Sequence, residues 1–156
     1  MKTPKQLAKH LREVYFGGNW TAVNIKDTLA DVTFKEATTQ IDSTNTIETL
    51  VYHLHYYVTL DLRVLEGGPL VGSDKESFIH DSVTSQKEWE DFLEVRYIEA
   101  KKFVKSIESL SEETLWKDFV AEKHGNYYRN LAGIIEHTHY HLGQIVLLKK
   151  LIRNGN

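Results

Sequence analysis

Apolar residues recur at helical spacing in four long stretches of this chain, and no run of alternating strand residues competes with them. In the first stretch Thr3 serves as a cap and Pro4 as the first helical residue; Leu7, Leu11, Val14 and Tyr15 follow, and Gly17-Gly18 end it. The second runs from Thr46 to Glu66 after the polar turn Asp42-Ser43-Thr44-Asn45. Its buried face is Ile47, Leu50, Val51, Leu54, Val58, Leu62 and Leu65, and Gly67-Gly68-Pro69 stop it. Ser85-Gln86-Lys87-Glu88 is a capping-box pattern that opens the third, with Trp89, Phe92, Leu93, Ala100, Phe103 and Ile107 as its stripe. The fourth covers Tyr127 to Ile152, beyond the break His124-Gly125-Asn126. Residues Asn24 to Ala37 predict one short amphipathic connecting helix. Leu70 to Thr84 predict loop with one turn of helix, and Ser111-Glu112-Glu113 predict a short turn. The chain therefore reads as all-α, a four-helix bundle with short connecting helices, an architecture that builds metal sites from facing helices. Its 156 residues suit a single domain, expected over residues 1–156.

Composition removes several functions. With 19 Lys and Arg against 22 Asp and Glu, and no basic run, a polyanion has nothing to grip, so no nucleic-acid partner is expected. The chain contains no Cys, which excludes disulfides, thiolate ligands and a cysteine nucleophile and leaves His, Asp and Glu to hold any metal. The first residues lack the apolar run of a signal peptide, and nowhere do about 18 apolar residues follow one another. The expectation is a cytoplasmic protein with no membrane partner.

Helical geometry then sorts the eight histidines. His137 and His141 are four apart, which puts two imidazoles on one helix face with Cβ atoms roughly 6 Å apart. His53 lies on the shoulder of the second helix's buried face, among Leu50, Tyr57, Leu60 and Val64, so it is the inward candidate for a third ligand. His55 and His139 are two residues from these positions and so point about 200° away. Together with His10, His80 and His124 they take a structural or surface reading. Two imidazoles at the edge of a core are costly to bury without partners, and a cation on their neutral nitrogens resolves that cost. The expected metal ligands are thus His53, His137 and His141. Gln144, one turn past His141, and Asp61, two turns past His53, are the candidate outer residues. Asp61 falls within an apolar stripe, so it is expected to pair with a His nitrogen, with Arg96 or with a tyrosine hydroxyl. Glu136 directly precedes His137, points away from it and reads as a solvated residue.

Several segments resemble the DinB-like, damage-inducible metalloproteins with a YfiT-type bundle. They are Gly18-Asn19-Trp20, Thr46-Ile47-Glu48-Thr49-Leu50-Val51-Tyr52-His53-Leu54, Leu65-Glu66-Gly67, and His137-Thr138-His139-Tyr140-His141-Leu142-Gly143-Gln144-Ile145. The resemblance covers nearly the whole length and implies one metal on three histidines, which map onto His53, His137 and His141. Asn45, Thr46 and Thr49 depart from the family pattern at what would be the pocket mouth. The resemblance further implies a homodimer and a metal-dependent hydrolase or thiol S-transferase acting on a small molecule; in the absence of Cys, a sulfur nucleophile would arrive as a low-molecular-weight thiol. The alternative is a non-catalytic metal-dependent ligand-binding or stress-response module, and a third is a bundle with vestigial histidines. Three neutral imidazoles leave a divalent ion room for water or substrate, and the Irving–Williams order with cellular availability makes zinc the expected ion and nickel the second. The open position is expected to face a pocket at one end of the bundle. Trp20 is placed there by resemblance alone, with Tyr127 and Tyr128 at the rim or in the core.

Overall fold

Capping residues set where five of the six α-helices begin in the computed structural model, which describes residues 2–155; Met1 and Asn156, the ends of the expected domain, lie outside the described residues. The helices are α1 (Thr3–Phe16), α2 (Ile25–Leu29), α3 (Phe34–Thr38), α4 (Ile47–Leu65), α5 (Gln86–Glu108) and α6 (Tyr127–Asn154), with single 3-10 turns at Glu76–Phe78, Thr114–Trp116 and Glu122–His124. Among the described residues there is no strand, only an isolated bridge between Asp118 and Asn126.

Three local expectations need correction. Thr3 does not cap α1: Lys2 holds the cap position without a side-chain bond, and Thr3 enters the first turn, where its N–H and hydroxyl both donate to the Glu112 carboxylate. The connecting segment is two helices rather than one. Asn24 caps α2 by accepting from the Asp27 N–H at 2.9 Å, and Thr33 with Glu36 forms a complete capping box that restarts the chain as α3. At α5, Ser85 accepts from the Glu88 N–H at 3.2 Å, but the Glu88 carboxylate does not return to Ser85. It takes the N–H and hydroxyl of Thr84 at 2.7 and 2.9 Å, two donors in place of one.

The four long helices close a ring around one core. α1 packs on α5 and α6, and α4 packs on α5 and α6. Leu11, Val14, Ile47, Val58, Ala100, Phe103 and Ile145 are wholly buried where they meet. Trp89 is buried as well and donates its indole N–H to the Val32 carbonyl at 2.8 Å, tying α5 to the α2–α3 connection. Asp31 and Glu36 receive Lys149 and Arg153 from the end of α6, so the same connection is clamped on two sides. No helix among the described residues is long and apolar enough to cross a membrane.

The segment from Gly67 to Thr84 lies across α4 as a strap. Tyr56 and Tyr57 donate to Glu76 and Asp74 at 2.9 and 2.7 Å. The buried Glu48 accepts from the Ser82 hydroxyl and the Val83 N–H at 2.8 and 2.7 Å. Gly72 marks the closest approach: a Cβ there would collide with the Tyr56 hydroxyl and sit 2.9 Å from a Leu60 methyl.

Candidate metal centre

Two helices and the strap bring the three histidines together. α4 and α6 are direct packing partners, and one ring nitrogen from each of His53, His137 and His141 lies within 4.8 Å of the others. Ring centroids are 4.9 Å apart for His53 and His137, 4.7 Å for His53 and His141, and 4.5 Å for His137 and His141. His53 and His141 are buried and His137 is half-buried. Phe78 of the strap stacks on the His53 ring at 4.0 Å, and the Tyr57 ring stands edge-on to His53 and His137 at 5.4 and 5.0 Å. These aromatic contacts hold the imidazoles in place without competing for their nitrogens.

Hydrogen bonding fixes which nitrogens are free. His53 Nδ1 is 2.7 Å from the Ser77 hydroxyl, and that hydroxyl bonds the Asp74 carbonyl, which can only accept. Ser77 therefore gives its single proton to Asp74 and accepts from His53 Nδ1–H, so His53 Nε2 is bare. His141 Nδ1 lies 2.8 Å from Gln144 Oε1, also an acceptor, so its proton is on Nδ1 and its Nε2 is bare too. Outer partners of this kind set the tautomer that a metal requires. His53 Nε2 and His137 Nε2 are 3.1 Å apart, so His137 places its proton between them. The His137 Nδ1 is buried with no partner.

Burial disfavours the charged form of all three rings. Burial, then the neighbouring His141 and His53, drives His137 down to about 4 from an ordinary 6.5. Burial also lowers His53 and His141. Imidazole nitrogens this close to one another form a donor set for a metal ion, so the residues present fit such an ion.

A cleft of about 570 Å³ opens beside His53 and His137, lined also by Tyr57, Asp61, Asp74, Arg129 and Asn130. Asp61 does not form the pair expected of it. It is buried and its Oδ2 has no partner, and burial pushes its carboxyl up to about 7. Arg96 is out of play because it lies with His55 and Glu99 along a different groove, donating to the Phe92 carbonyl at 2.8 Å and stacking on the Phe92 ring. The tyrosine nearest along α4, Tyr57, gives its proton to Asp74 instead. Glu136 is exposed at the cleft edge.

Trp20, which resemblance places at the pocket, is elsewhere, and of Tyr127 and Tyr128, expected at the rim or in the core, Tyr127 packs against the core. Trp20 is 98% exposed, and its loop neighbours Thr21 and Val23 line a separate groove with His139 on another face of α6. Tyr127 packs on Phe119 and Tyr128 stacks on Trp116. Asn45, Thr46 and Thr49 do not line the cleft: Thr46 caps α4, and Thr49 meets His80 at 3.1 Å. His55 takes the structural place expected of it, though in a more buried setting than the helical phase suggested, between the Tyr15 hydroxyl at 3.2 Å and Glu99 at 2.8 Å. Sequence reasoning missed Ser77, Asp74, Phe78 and Tyr57. The first three sit in a strap with no periodicity to reveal them, whereas Tyr57 could have been found from its place one turn beyond His53. Compared with protein-family models, curated proteins and solved structures, the chain matches none.

Proposed function

We propose that the chain is a four-helix bundle of the DinB-like type that holds one divalent cation, zinc in the first place, on His53, His137 and His141. We propose further that it is a metal-dependent hydrolase or thiol S-transferase acting on a small molecule in the adjoining cleft. The observation that carries this reading is the pair of outer bonds from His53 to Ser77 and from His141 to Gln144, which leave Nε2 without a proton on both rings. Buried structural histidines do not need that arrangement; ligands do.

A divalent cation on three neutral imidazoles supplies Lewis acidity to one further oxygen or sulfur donor. The chain's own residues do the rest. Tyr57 and Phe78 exclude water from one side of His53, and Arg129 offers donors to a polar substrate across the cleft, whereas the Asn130 amide N–H groups are taken by the His124 and Asn126 carbonyls. Cobalt loading followed by addition of small thiols and imidazole tests the reading. A visible spectrum that changes with added ligand is the expected result, followed by turnover in a screen of thiol and electrophile pairs and of hydrolysable esters. An occupied site with a changing spectrum but no turnover anywhere in the screen favours the binding module. A spectrum indifferent to every ligand makes the site structural.

A further inference from the structure

Three buried side-chain polar atoms lack a hydrogen-bond partner among the described residues, namely Asp61 Oδ2, Arg96 Nε and His137 Nδ1. Asp61 and His137 line the same cleft. Native interiors leave few such atoms, and two in one cleft ask for a common explanation.

The three histidines differ in one respect. His53 and His141 each have an oxygen acceptor on Nδ1, and His137 has none. Without a cation it needs none, because His53 Nε2 is bare and the 3.1 Å contact draws the His137 proton to Nε2. A cation taken by all three Nε2 atoms reverses this. The His137 ring keeps one proton, but the proton must sit on Nδ1, where it is buried and needs an acceptor. Asp61 lies on α4 two turns beyond His53, and the ring of Tyr57, one turn before it, already touches both imidazoles. The other carboxylates of the cleft are worse placed. Asp74 is exposed and takes the Tyr57 hydroxyl, and Glu136 is exposed and adjacent to His137 in sequence, so it projects about 100° away around the helix.

We propose that Asp61 is the positioning residue of His137, its carboxylate accepting the imidazole Nδ1–H, directly or across one water, when that ring binds a cation through Nε2. The proposal rests on the metal-site reading above and gives the third histidine the outer partner that the other two already have. It also gives a reason for a carboxyl in an apolar stripe, where its cost in the cation-free protein is evident.

Calorimetric titration of zinc into chelator-stripped wild type, Asp61→Leu and Asp61→Asn measures the effect. Asp61→Leu is expected to bind about 10–100-fold more weakly, the usual loss when an outer partner is removed, and Asp61→Asn, which retains a neutral acceptor, to lose less. The zinc-free Asp61→Leu protein is expected to melt no lower than wild type, because the change removes a buried carboxyl with no partner; a purely structural residue would show the opposite pattern. Equal affinity in Asp61→Leu and wild type overturns the proposal while leaving the metal site standing. A lower zinc-free melt with unchanged affinity does the same. A wild-type chain that binds no zinc overturns the metal-site reading and the proposal with it. Wild type alone supplies an independent readout by NMR: on zinc loading the His137 proton moves from Nε2 to Nδ1. Nitrogen spectra that keep the proton on Nε2 overturn the proposal even where the leucine variant fails to fold.

Discussion

Replacing Ser77 with alanine removes one oxygen, and the structure allows the consequence to be worked through. Ser77 is wholly buried, and its hydroxyl joins the strap to α4 by accepting from His53 Nδ1–H at 2.7 Å while donating to the Asp74 carbonyl. The variant leaves a buried imidazole N–H with no acceptor, which costs about 1–3 kcal/mol. For a chain of this length that corresponds to a fall in melting temperature of roughly 2–4 °C per kcal/mol, or about 2–12 °C in all. The second effect is on the cation. With Ser77 gone, nothing keeps the His53 proton on Nδ1, so the ring can carry it on Nε2 or turn toward another acceptor, and zinc affinity should fall about 10–100-fold. Thermal melts of the chelator-treated protein read the first quantity, and calorimetric zinc titration reads the second. Ser77→Thr, which keeps the hydroxyl but adds a methyl where there is no space, should lose stability and retain more affinity than alanine. A Ser77→Ala protein that binds zinc as tightly as wild type would refute the argument that outer hydrogen bonds preset the tautomer.

His141→Ala or His137→Ala should abolish tight zinc binding, whereas His139→Ala should leave it within a few-fold; comparable losses at His139 and His141 in a calorimetric titration would contradict the phasing of α6. His55→Ala should likewise spare zinc affinity yet destabilise the fold by about 1–3 kcal/mol, since it strands the Tyr15 hydroxyl and uncouples Glu99 from α4; a urea melt with no shift would count against that network. Chelator-treated wild type should lose stability as pH rises between about 4 and 7, because two groups oppose each other and Asp61 contributes the larger effect. His137, held down to about 4 when folded, makes stability rise with pH across this window, by about 1–2 kcal/mol after allowance for solvent in the cleft. Asp61, held up to about 7, makes stability fall with pH over the same window by up to about 4 kcal/mol. Asp61→Leu removes the opposing group and should turn the profile into one that climbs with pH; urea melts at pH 4.5 and 7 that give the same slope for both proteins would refute this.

The histidine trio was legible because helical geometry is periodic. A spacing of four residues from His137 to His141, and an apolar shoulder for His53, are enough to put the three on facing surfaces before any contact is known. What periodicity cannot reach is the strap. Ser77 meets His53 across 24 residues, and nothing in Ser73-Asp74-Lys75-Glu76-Ser77-Phe78 announces that the chain doubles back over α4. His55 shows a different limit. Its phase on α4 is about 200° from that of His53, but α4 has packing partners on several sides, α5 and α6 as well as the strap, so that phase is covered too. Asp61 was correctly marked as expensive, yet the partner expected for it does not exist among the described side chains. The paired short helices were missed because Thr33-Phe34-Lys35-Glu36 was read as helix interior when it is a cap.

The most direct test of the account is a thermal melt of the chelator-stripped chain titrated with zinc, run beside His53→Ala. If the three histidines hold the ion, zinc at about a thousand times its dissociation constant stabilises wild type by about 4 kcal/mol, and the midpoint climbs by roughly 8–16 °C with saturation at one zinc per chain. His53→Ala, which removes the only ligand from α4, should show little of that rise. A wild-type midpoint that stays fixed as zinc is added, or a rise that His53→Ala reproduces in full, would contradict the claim that these side chains form a metal centre.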